Sequence, residues 1–461
     1  MMSILKFGEE ERRGSQPLGR ATMLRSAHAA AMGSVRRVAG KASWTLLDQC
    51  TVSAGNFVLN VLLARALSQD DYGKFALFLG AIFILRNVDW SLISYPLSLR
   101  LSVVEAGHRA SLLGATILLA ACLSLGLVIV MGLGVTLLGA SDLLLPACLC
   151  YWCWQAQETA RRCLLADFRY REAVAGDAVA YVGQALLVAA LLRVVPVTLS
   201  STLYIMSVTF ALGALVHGAK LHIAWPKPAV LRRLPREYFS AGKWSLITYQ
   251  LVLMRGQLFP WLLATIAGTA ATASLQASAN IANMMNPVIL GIGNAVPQIA
   301  AHAYESSGIR GAVRAASGYV LFGMAPILVI CLVGVVLPSP LLRAVYGPVS
   351  PYLATGLSLQ LLMVAGVLDY IAEMASKTLL GVQSGRLAVV VNVFSLLAAL
   401  ALALVLIQPL GVLGACLALL AANLMRLVTA VISMLWLVRH DRSRKQAGHQ
   451  SIDTDDLERR G

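Results

Sequence analysis

The stretch Ala39-Gly-Lys-Ala-Ser-Trp-Thr-Leu-Leu-Asp-Gln49 opens the first long apolar segment of the chain, and a similar stretch, Ala241-Gly-Lys-Trp-Ser-Leu-Ile-Thr-Tyr-Gln250, opens the seventh. Both place Ala-Gly-Lys, a Trp and then a Gln at the start of the segment. Six apolar segments separate the two starts, so two halves built alike run in the same direction through a membrane. Parallel duplications of this kind occur in transporters built as two lobes around a central site. Chance similarity is the alternative explanation.

The composition identifies a chain that is dissolved in lipid. Of 461 residues, 58% are hydrophobic and 13% are charged, whereas soluble domains carry about 25% charged residues. A set of soluble domains and a disordered chain are therefore both excluded. Because a membrane helix needs about 20 apolar residues, the apolar segments predict about twelve spans. We expect an all-α polytopic membrane protein with two six-helix lobes related by a parallel pseudo-two-fold axis.

Basic residues divide the chain and orient it. The chain has 37 Lys and Arg against 22 Asp and Glu, and most of the basic residues lie in alternate turns and at the two ends. The positive-inside rule then places both termini in the cytoplasm. The predicted parts are a basic N-terminal tail (1–41), a six-helix lobe (42–223), a cytoplasmic linker (224–240), a second six-helix lobe (241–438) and a cytoplasmic tail (439–461).

Two arginines inside predicted spans are the strongest functional signal. A charge at a helix centre costs about 2.5–3.5 kcal/mol on insertion scales, so such a residue faces a partner or a wet cavity. Arg86 shares a helical face with Asp89 three residues later, and an internal salt bridge is the alternative to a functional role. Arg255 has no acidic residue within one helical turn. We expect Arg86 and Arg255, one from each lobe, to face a central cavity.

Polar stripes on one helix of each predicted lobe point to the same cavity. The first span carries Gln49, Asn56 and Asn60 on one face, with Asp48 beside them. The eighth span is interrupted by prolines and glycines, as helices that line a cavity can be. Hydrogen bonding between packed helices is the alternative for both stripes. The stripe of the eighth span consists of Gln276, Asn280, Asn283 and Asn294.

Catalytic and metal-binding patterns are missing from the sequence. The eight cysteines lie almost entirely in apolar runs, where they are typical packing residues. No Ser/His/Asp set and no phosphate-cradling glycine loop is visible, and the predicted outward loops are too short to fold as a domain. We therefore expect no enzyme, no metal, no cofactor and no nucleic-acid partner. A membrane glycan polymerase or glycosyltransferase is the least favoured alternative.

The N-terminal motifs resemble those of a known transporter family. The motifs Trp44-Thr-Leu-Leu-Asp-Gln49, Asn56-Phe-Val-Leu-Asn60, Leu63-Ala-Arg-Ala-Leu67 and Asp71-Tyr-Gly-Lys-Phe-Ala-Leu77 carry the resemblance, together with the basic run Arg161–Arg171. They resemble the polysaccharide-transport family of Wzx-type lipid-linked oligosaccharide flippases. This family belongs to the superfamily that also holds the multidrug and toxin extrusion proteins. The plan of apolar segments resembles that of the family over 42–438.

The resemblance implies a flippase of the bacterial inner membrane that works by alternating access. Its substrate would be a lipid-pyrophosphate-linked oligosaccharide for exopolysaccharide, O-antigen or other lipopolysaccharide synthesis. Its partners would be that substrate, membrane lipids and a polysaccharide polymerase or export machinery. Arg86 and Arg255 would bind the pyrophosphate, and Asp48 or Asp89 would couple transport to an ion. A cation-coupled multidrug exporter of the same superfamily is the alternative, and two arginines without acidic partners would disfavour it.

Overall fold

A computed structural model describes residues 44, 47–101, 104–382 and 384–458. The predicted tail 1–41 lies outside the described residues. The helices discussed below belong to one compact unit, Asp48–Gly461. The described residues form helices joined by short turns, and they contain no β-strand.

The first six helices, α1 to α6, follow one another with turns of a few residues. Two of them, α2 and α5, contain a π-helical turn. Helix α1 covers 47–66. Helix α2 runs over Gln69–Asp89, a π turn Trp90–Ser94 and Tyr95–Leu101; α3 is Ala106–Leu137; α4 is Leu144–Ala166; α5 runs over Tyr170–Asp177, a π turn Ala178–Val182 and Gly183–Leu191; α6 is Leu199–Gly218.

The last six helices, α7 to α12, follow the same plan. A single non-helical residue, Gly308 at φ 67° and ψ −166°, separates α8 from α9 within Asn286–Val336, and glycine adopts this conformation without strain. A short helix, Pro338–Tyr346, and a 3₁₀ turn, Pro351–Thr355, precede α10. Helix α7 is Pro228–Ala267; α8 runs over Thr269–Ala282, a 3₁₀ turn Asn283–Met285 and 286–307; α9 covers 309–336; α10 is Gly356–Gly381; α11 is Gly385–Leu410; α12 is Val412–Glu458.

The number of long helices confirms the predicted architecture. Eight stretches of the described residues are long and apolar enough to cross a membrane, and Gly308 divides one of them, Thr269–Val336, into two helices. Three further long helices, α1, α4 and α7, bring the described helices of membrane-spanning length to twelve. Helix α7 already begins at Pro228, so most of the segment that we assign to a linker, 224–240, is helical.

Prolines place the break in α8. The helix leaves α-geometry at the 3₁₀ turn Asn283–Met285, just before Pro287. A proline inside a helix lacks the N–H that would bond four residues back, and its ring crowds that carbonyl group. In this helix the carbonyl four residues back belongs to Asn283. The predicted interruption of the eighth span is therefore present and has a local cause.

Helices α2 and α7 form much of the contact between the two lobes, and they run antiparallel. Gly80 lies against Gln257, Asn87 donates from Nδ2 to Oε1 of Gln250 at 2.8 Å, and Gly242 lies against Ser91. A Cβ atom on Gly242 would lie 2.2 Å from the Ser91 carbonyl oxygen, so only glycine permits this approach. The position of a residue along α2 can therefore be compared with that of the residue opposite it on α7.

Hydrogen bonds and ion pairs at each end of the bundle define two ends, named here by their arginines. At the Arg65 end, Arg65 donates from Nε to the Val345 carbonyl at 2.8 Å and from Nη2 to the Ala344 carbonyl at 3.0 Å. Thr269 at the same end donates to the Asp70 carboxylate. At the Arg100 end, Arg100 pairs with Glu237 at 2.5 Å. Both ends of the interface are thus held by bonds between the lobes.

Candidate functional site

The first lobe contains a buried ionic cluster centred on Arg161 of α4. The guanidinium donates from Nη2 to Asp48 on α1 at 2.5 Å and from Nε to Asp177 on α5 at 2.6 Å. Its Nη1 also reaches Glu158 on α4 at 3.4 Å. The side chains of Arg161, Asp48 and Asp177 are 5%, 1% and 0% exposed. One cation therefore ties α1, α4 and α5 together, and buried pairs of this kind are costly to break.

The carboxylate of Asp177 has further partners. Gln157 donates to its Oδ1 at 2.7 Å, and His217 lies with Nε2 3.8 Å from the same oxygen. The His217 ring is held by its Nε2 contact with the Ala173 carbonyl oxygen at 2.8 Å. A Cβ atom on Gly176 would lie 2.2 Å from this ring. The close contact of α5 with α6 therefore depends on glycine at that position.

Glu158 is the carboxylate of the first-lobe cluster that contacts three arginines, Arg161 among them. Its Oε1 accepts from Nε of Arg162 at 2.7 Å and lies 3.4 Å from Nη2 of Arg86. Glu158 and Arg162 are four residues apart and lie on the same face of α4. The guanidinium of Arg86 also lies 5.8 Å from the centre of the Trp154 ring, within the range of a cation–π contact. Arg86 of α2 therefore points towards α4 of its own lobe, where it contacts Glu158 and Trp154.

The second lobe has its own ionic cluster, on the fourth helix of that lobe. Oδ1 of Asp369 accepts from Nη2 of Arg255 at 3.0 Å and from Nη1 of Arg426 at 2.9 Å. Arg255 also donates to Asn423 at 2.6 Å, and Arg426 donates to Glu373. Two guanidiniums therefore share one carboxylate oxygen between α7, α10 and α12.

Lys377 gives the second cluster an excess of positive charge. Its Nζ lies 3.6 Å from Glu373, which is four residues earlier on α10. Formal charges in this cluster are three cations, Arg255, Arg426 and Lys377, against the two carboxylates. The first-lobe cluster has the opposite balance. Its three arginines, Arg86, Arg161 and Arg162, are accompanied by four buried carboxylates: Asp48, Asp89, Glu158 and Asp177.

A polar cavity of about 280 Å³ adjoins the second cluster towards the Arg100 end. Glu373, Lys377 and Arg426 give it charge. Tyr95 of α2 contributes to its wall, so both lobes line it. The remaining wall residues include aromatic and amide side chains that can pack against and hydrogen-bond a ligand, among them Trp244, Tyr249 and Asn392.

An apolar groove of about 450 Å³ lies towards the Arg65 end. First-lobe helices α2, α3, α4 and α6 form most of it, and α7 of the second lobe closes it with Trp261, Ala264 and Thr265. Lys74 is the charged residue at its wall, and it pairs with Asp71 at 3.7 Å. The groove therefore runs between the lobes and suits an apolar chain.

The two predicted arginines lie at similar depth but reach in different directions. Arg86 lies between Gly80 and Asn87 on α2, and the residues opposite them, Gln257 and Gln250, bracket Arg255 on α7. Arg86 pairs with Glu158 in the first lobe, and Arg255 pairs with Asp369 in the second. The argument that these arginines lack acidic partners is therefore wrong, because the partners come from other helices. The internal Arg86–Asp89 salt bridge is not formed between these two described residues.

The polar stripes meet in part. Gln276 of α8 donates to Oδ1 of Asn60 of α1 at 3.5 Å, and Asn60 also bonds the carbonyl oxygen of Asn56 in its own helix. Asn280 is buried and donates to the Tyr346 hydroxyl at 3.4 Å. Gln49 lies at the other end of α1, 3.4 Å from Asp48. Asn283 and Asn294 are exposed on α8.

The two acids predicted for ion coupling have different surroundings. Asp48 and Asp89 are both 1% exposed. Asp48 is neutralised by Arg161, whereas no described cation lies within salt-bridge distance of Asp89. The sequence pattern does not identify Arg161, Asp177 and Arg426 as members of the clusters. A charged residue inside an apolar segment is the available signal for them, and it does not show which helix such a residue faces.

The chain is a multi-pass membrane protein with two lobes of six helices. No protein-family model matches it, and no curated protein matches it. Its fold is that of the transporters of the MOP superfamily, as the solved structures below show.

Three solved structures illustrate the likeness, all at low sequence identity. An inward-facing multidrug resistance MATE family transporter of the MOP superfamily matches with a TM-score of 0.70 and 14% identity, over 85% of this chain and 95% of that chain. The lipid II flippase MurJ, in an inward closed conformation, matches with 0.67 and 11% identity, over 86% and 89%. A MOP superfamily transporter from Pyrococcus furiosus matches with 0.61 and 13% identity, over 88% and 95%.

Proposed function

We propose that the chain is a flippase that moves a lipid-pyrophosphate-linked oligosaccharide from the inner to the outer leaflet of the bacterial inner membrane. The observation that carries this proposal is the excess of positive charge in the cluster that adjoins the polar cavity. Arg426 and Lys377 line the cavity beside one carboxylate, Glu373. Arg255 belongs to the same cluster through Asp369, but neither it nor Arg86 is a wall residue of the cavity or of the groove. A pyrophosphate needs several positive donors, and arginine binds phosphate oxygens through its planar fork. The cavity therefore has the charge that such a headgroup requires.

The apolar groove supports a substrate that carries a lipid tail. It runs between the lobes and is lined almost wholly by apolar side chains. A polar headgroup could cross through the interface between the lobes while its tail stayed in the groove or the bilayer. One of the structures with the same fold, MurJ, is described as a lipid II flippase. A likeness in fold gives this proposal support but does not select the sugar.

Arg86 and Arg255 remain our proposed ligands for the pyrophosphate. Each is bound to a carboxylate, and a phosphate group can replace a carboxylate as the partner of a guanidinium because both accept two parallel hydrogen bonds. Arg86 is the more accessible of the two, with a side chain 26% exposed against 10% for Arg255. Binding therefore involves exchange of partners. Asn56, Asn60 and Gln276 would hydrate the glycan during its passage.

The proposed orientation places the Arg100 end and both termini in the cytoplasm. The turns assigned to that end and the two terminal segments of the chain together contain most of its basic residues. The polar cavity then lies on the side from which the substrate arrives, and the Arg65 end, held by bonds between the lobes, faces outward. A polysaccharide polymerase or export machinery would receive the product in exopolysaccharide or O-antigen synthesis.

Cation-coupled drug export is the second candidate, and the first-lobe cluster favours it. Four carboxylates there face three arginines, a balance that suits a cationic substrate or a coupling cation. A MATE family transporter shares the fold at least as closely as the flippase does. The two candidates therefore differ in which lobe holds the substrate.

Transfer in liposomes distinguishes these functions. The purified full-length chain is reconstituted with a fluorescent lipid-pyrophosphate oligosaccharide, and transfer between leaflets is followed with a membrane-impermeant quencher. We expect transfer by the wild type and a loss of about tenfold in Arg255→Lys, which keeps the charge beside Asp369 but removes the fork. Arg343→Gln, on the exposed short helix, is the matched control and should transfer normally.

The same vesicles test drug export. A cationic dye is loaded in place of the lipid, and its release is measured with and without a pH gradient. Dye movement without any lipid transfer would reject the flippase and support the drug exporter. Turnover of the glycan into a longer polymer would reject both and identify an enzyme.

A further inference from the structure

Asp89 is a buried carboxylate without a charged partner among the described residues. It is the last residue of the α-helical part of α2 before the π turn Trp90–Ser94, and it is 1% exposed. Its Oδ1 is buried and forms no hydrogen bond within the described part of the chain. A buried ionised carboxylate is strongly unfavourable without a partner. Asp89 therefore needs a positive charge that no salt bridge from the described residues supplies.

Neutral groups that can share a proton surround the carboxylate. Gln155 and Tyr151 of α4 face Asp89 and are 2% and 1% exposed. The Gln155 amide group and the Tyr151 hydroxyl form no hydrogen bond of ordinary geometry among the described residues. Three buried polar side chains thus converge on one place. π-helical turns are frequent at functional sites, and Asp89 directly precedes the π-helical turn Trp90–Ser94.

The nearby charges are already bound to one another. Arg86 and Arg162 are the cations that act on Asp89, and both bond the same oxygen of Glu158. Neither arginine lies within salt-bridge distance of Asp89, because both are directed at Glu158. Helix α7 packs against the π turn through Tyr249, whose ring lies 4.6 Å from that of Trp90. The titratable and charged groups that face Asp89 are Glu158, Arg162, Tyr151 and Cys163 from α4 and Arg86 from its own helix.

We infer that Asp89, with Gln155 and Tyr151, is a proton-binding site of the first lobe, and that Asp48 is not. Asp48 is equally buried, but Arg161 already supplies its positive charge. The proton binds one oxygen of Asp89, and the neutral acid can then donate to the Gln155 carbonyl or the Tyr151 oxygen. The use of this proton to drive transport rests on the proposed function. The binding of the proton to Asp89 is independent of that function.

Infrared titration of the purified full-length chain tests this site without any substrate. A protonated carboxyl group has a carbonyl stretch that differs from that of a carboxylate and shifts in D₂O. We expect a wild-type band that disappears as the pH is raised. Asp89→Asn should abolish this band, and Asp89→Glu should move it. Asp48→Asn, at a site of the same burial, should leave it in place.

Several results would overturn the inference. One is a band that persists in Asp89→Asn, and another is its loss in Asp48→Asn while that variant is folded. Removal of the band by added Na⁺ at constant pH would replace the proton with sodium and also reject the proposal. If Asp48→Asn does not fold, Asp142→Asn is the control, because Asp142 is exposed in the turn between α3 and α4. Failure of lipid transfer in liposomes would leave the infrared result unaffected.

Discussion

Glu158 and Asp369 hold corresponding places in the two lobes. Each lies on the fourth helix of its lobe, and each accepts hydrogen bonds or ion pairs from arginines on other helices. Arg86 reaches Glu158 from α2, and Arg255 reaches Asp369 from α7. Helices α2 and α7 are in contact, so the interface between the lobes lies between two acid–arginine pairs, each with one buried and one partly exposed partner. A movement of one lobe relative to the other would therefore change the surroundings of both acid–arginine pairs.

Removal of the Asp369 charge should destabilise the second lobe. In Asp369→Asn, Arg255 and Arg426 would share a neutral amide, which leaves two buried cations with one remaining carboxylate. Breaking a buried pair by removing one partner costs about 3–5 kcal/mol. Because the Asp369 side chain is 31% exposed, denaturant unfolding in detergent should show a loss at or below the lower end of that range. Asp142→Asn, on the exposed turn, should change stability little, and an equal loss in both variants would contradict the role of Asp369.

The two adjacent arginines of α4 should differ strongly in their effect on stability. Arg161 is 5% exposed and bonds three carboxylates, whereas Arg162 is 28% exposed and bonds Glu158 alone. Arg161→Gln leaves Asp48 and Asp177 buried without a cation and should lower the unfolding temperature markedly. Arg162→Gln should lower it only slightly, because solvent screens its pair. Similar losses in the two variants would show that the first-lobe cluster is not organised around Arg161.

Much of the fold follows from the sequence, while the partners inside it do not. Periodic apolar segments predict twelve helices because a lipid solvent permits little other structure. The break before Pro287 follows from the chemistry of proline. Arg255 shows the limit, since its acid, Asp369, is 114 positions away in the chain. The depth at which two helices cross depends on close approaches such as Gly242 with Ser91, and no residue pattern within one helix contains that information.

A methyl group at Gly73 should weaken the Arg65 end of the interface. A Cβ atom there would lie 2.0 Å from the Thr269 carbonyl oxygen, so α2 and the start of α8 must separate. Overpacking of this kind costs about 1–3 kcal/mol. Spin labels placed on the two sides of this end should report a longer distance in Gly73→Ala than in the wild type. Gly107→Ala is the control, because its Cβ atom meets no heavy atom within 4 Å, and it should leave the distance unchanged.

Filling the apolar groove should separate the two proposed functions. Ala264 lies in the groove wall contributed by α7, and Ala264→Phe would occupy space that a lipid tail needs. We expect this variant to lose most lipid transfer in the liposome assay and to retain less lipid during purification, as native mass spectrometry can show. A small cationic dye does not need the groove, so its movement should be unaffected. Ala398→Phe, on α11 outside the groove, controls for the added ring. Normal lipid transfer in folded Ala264→Phe would exclude the groove from the path of the tail.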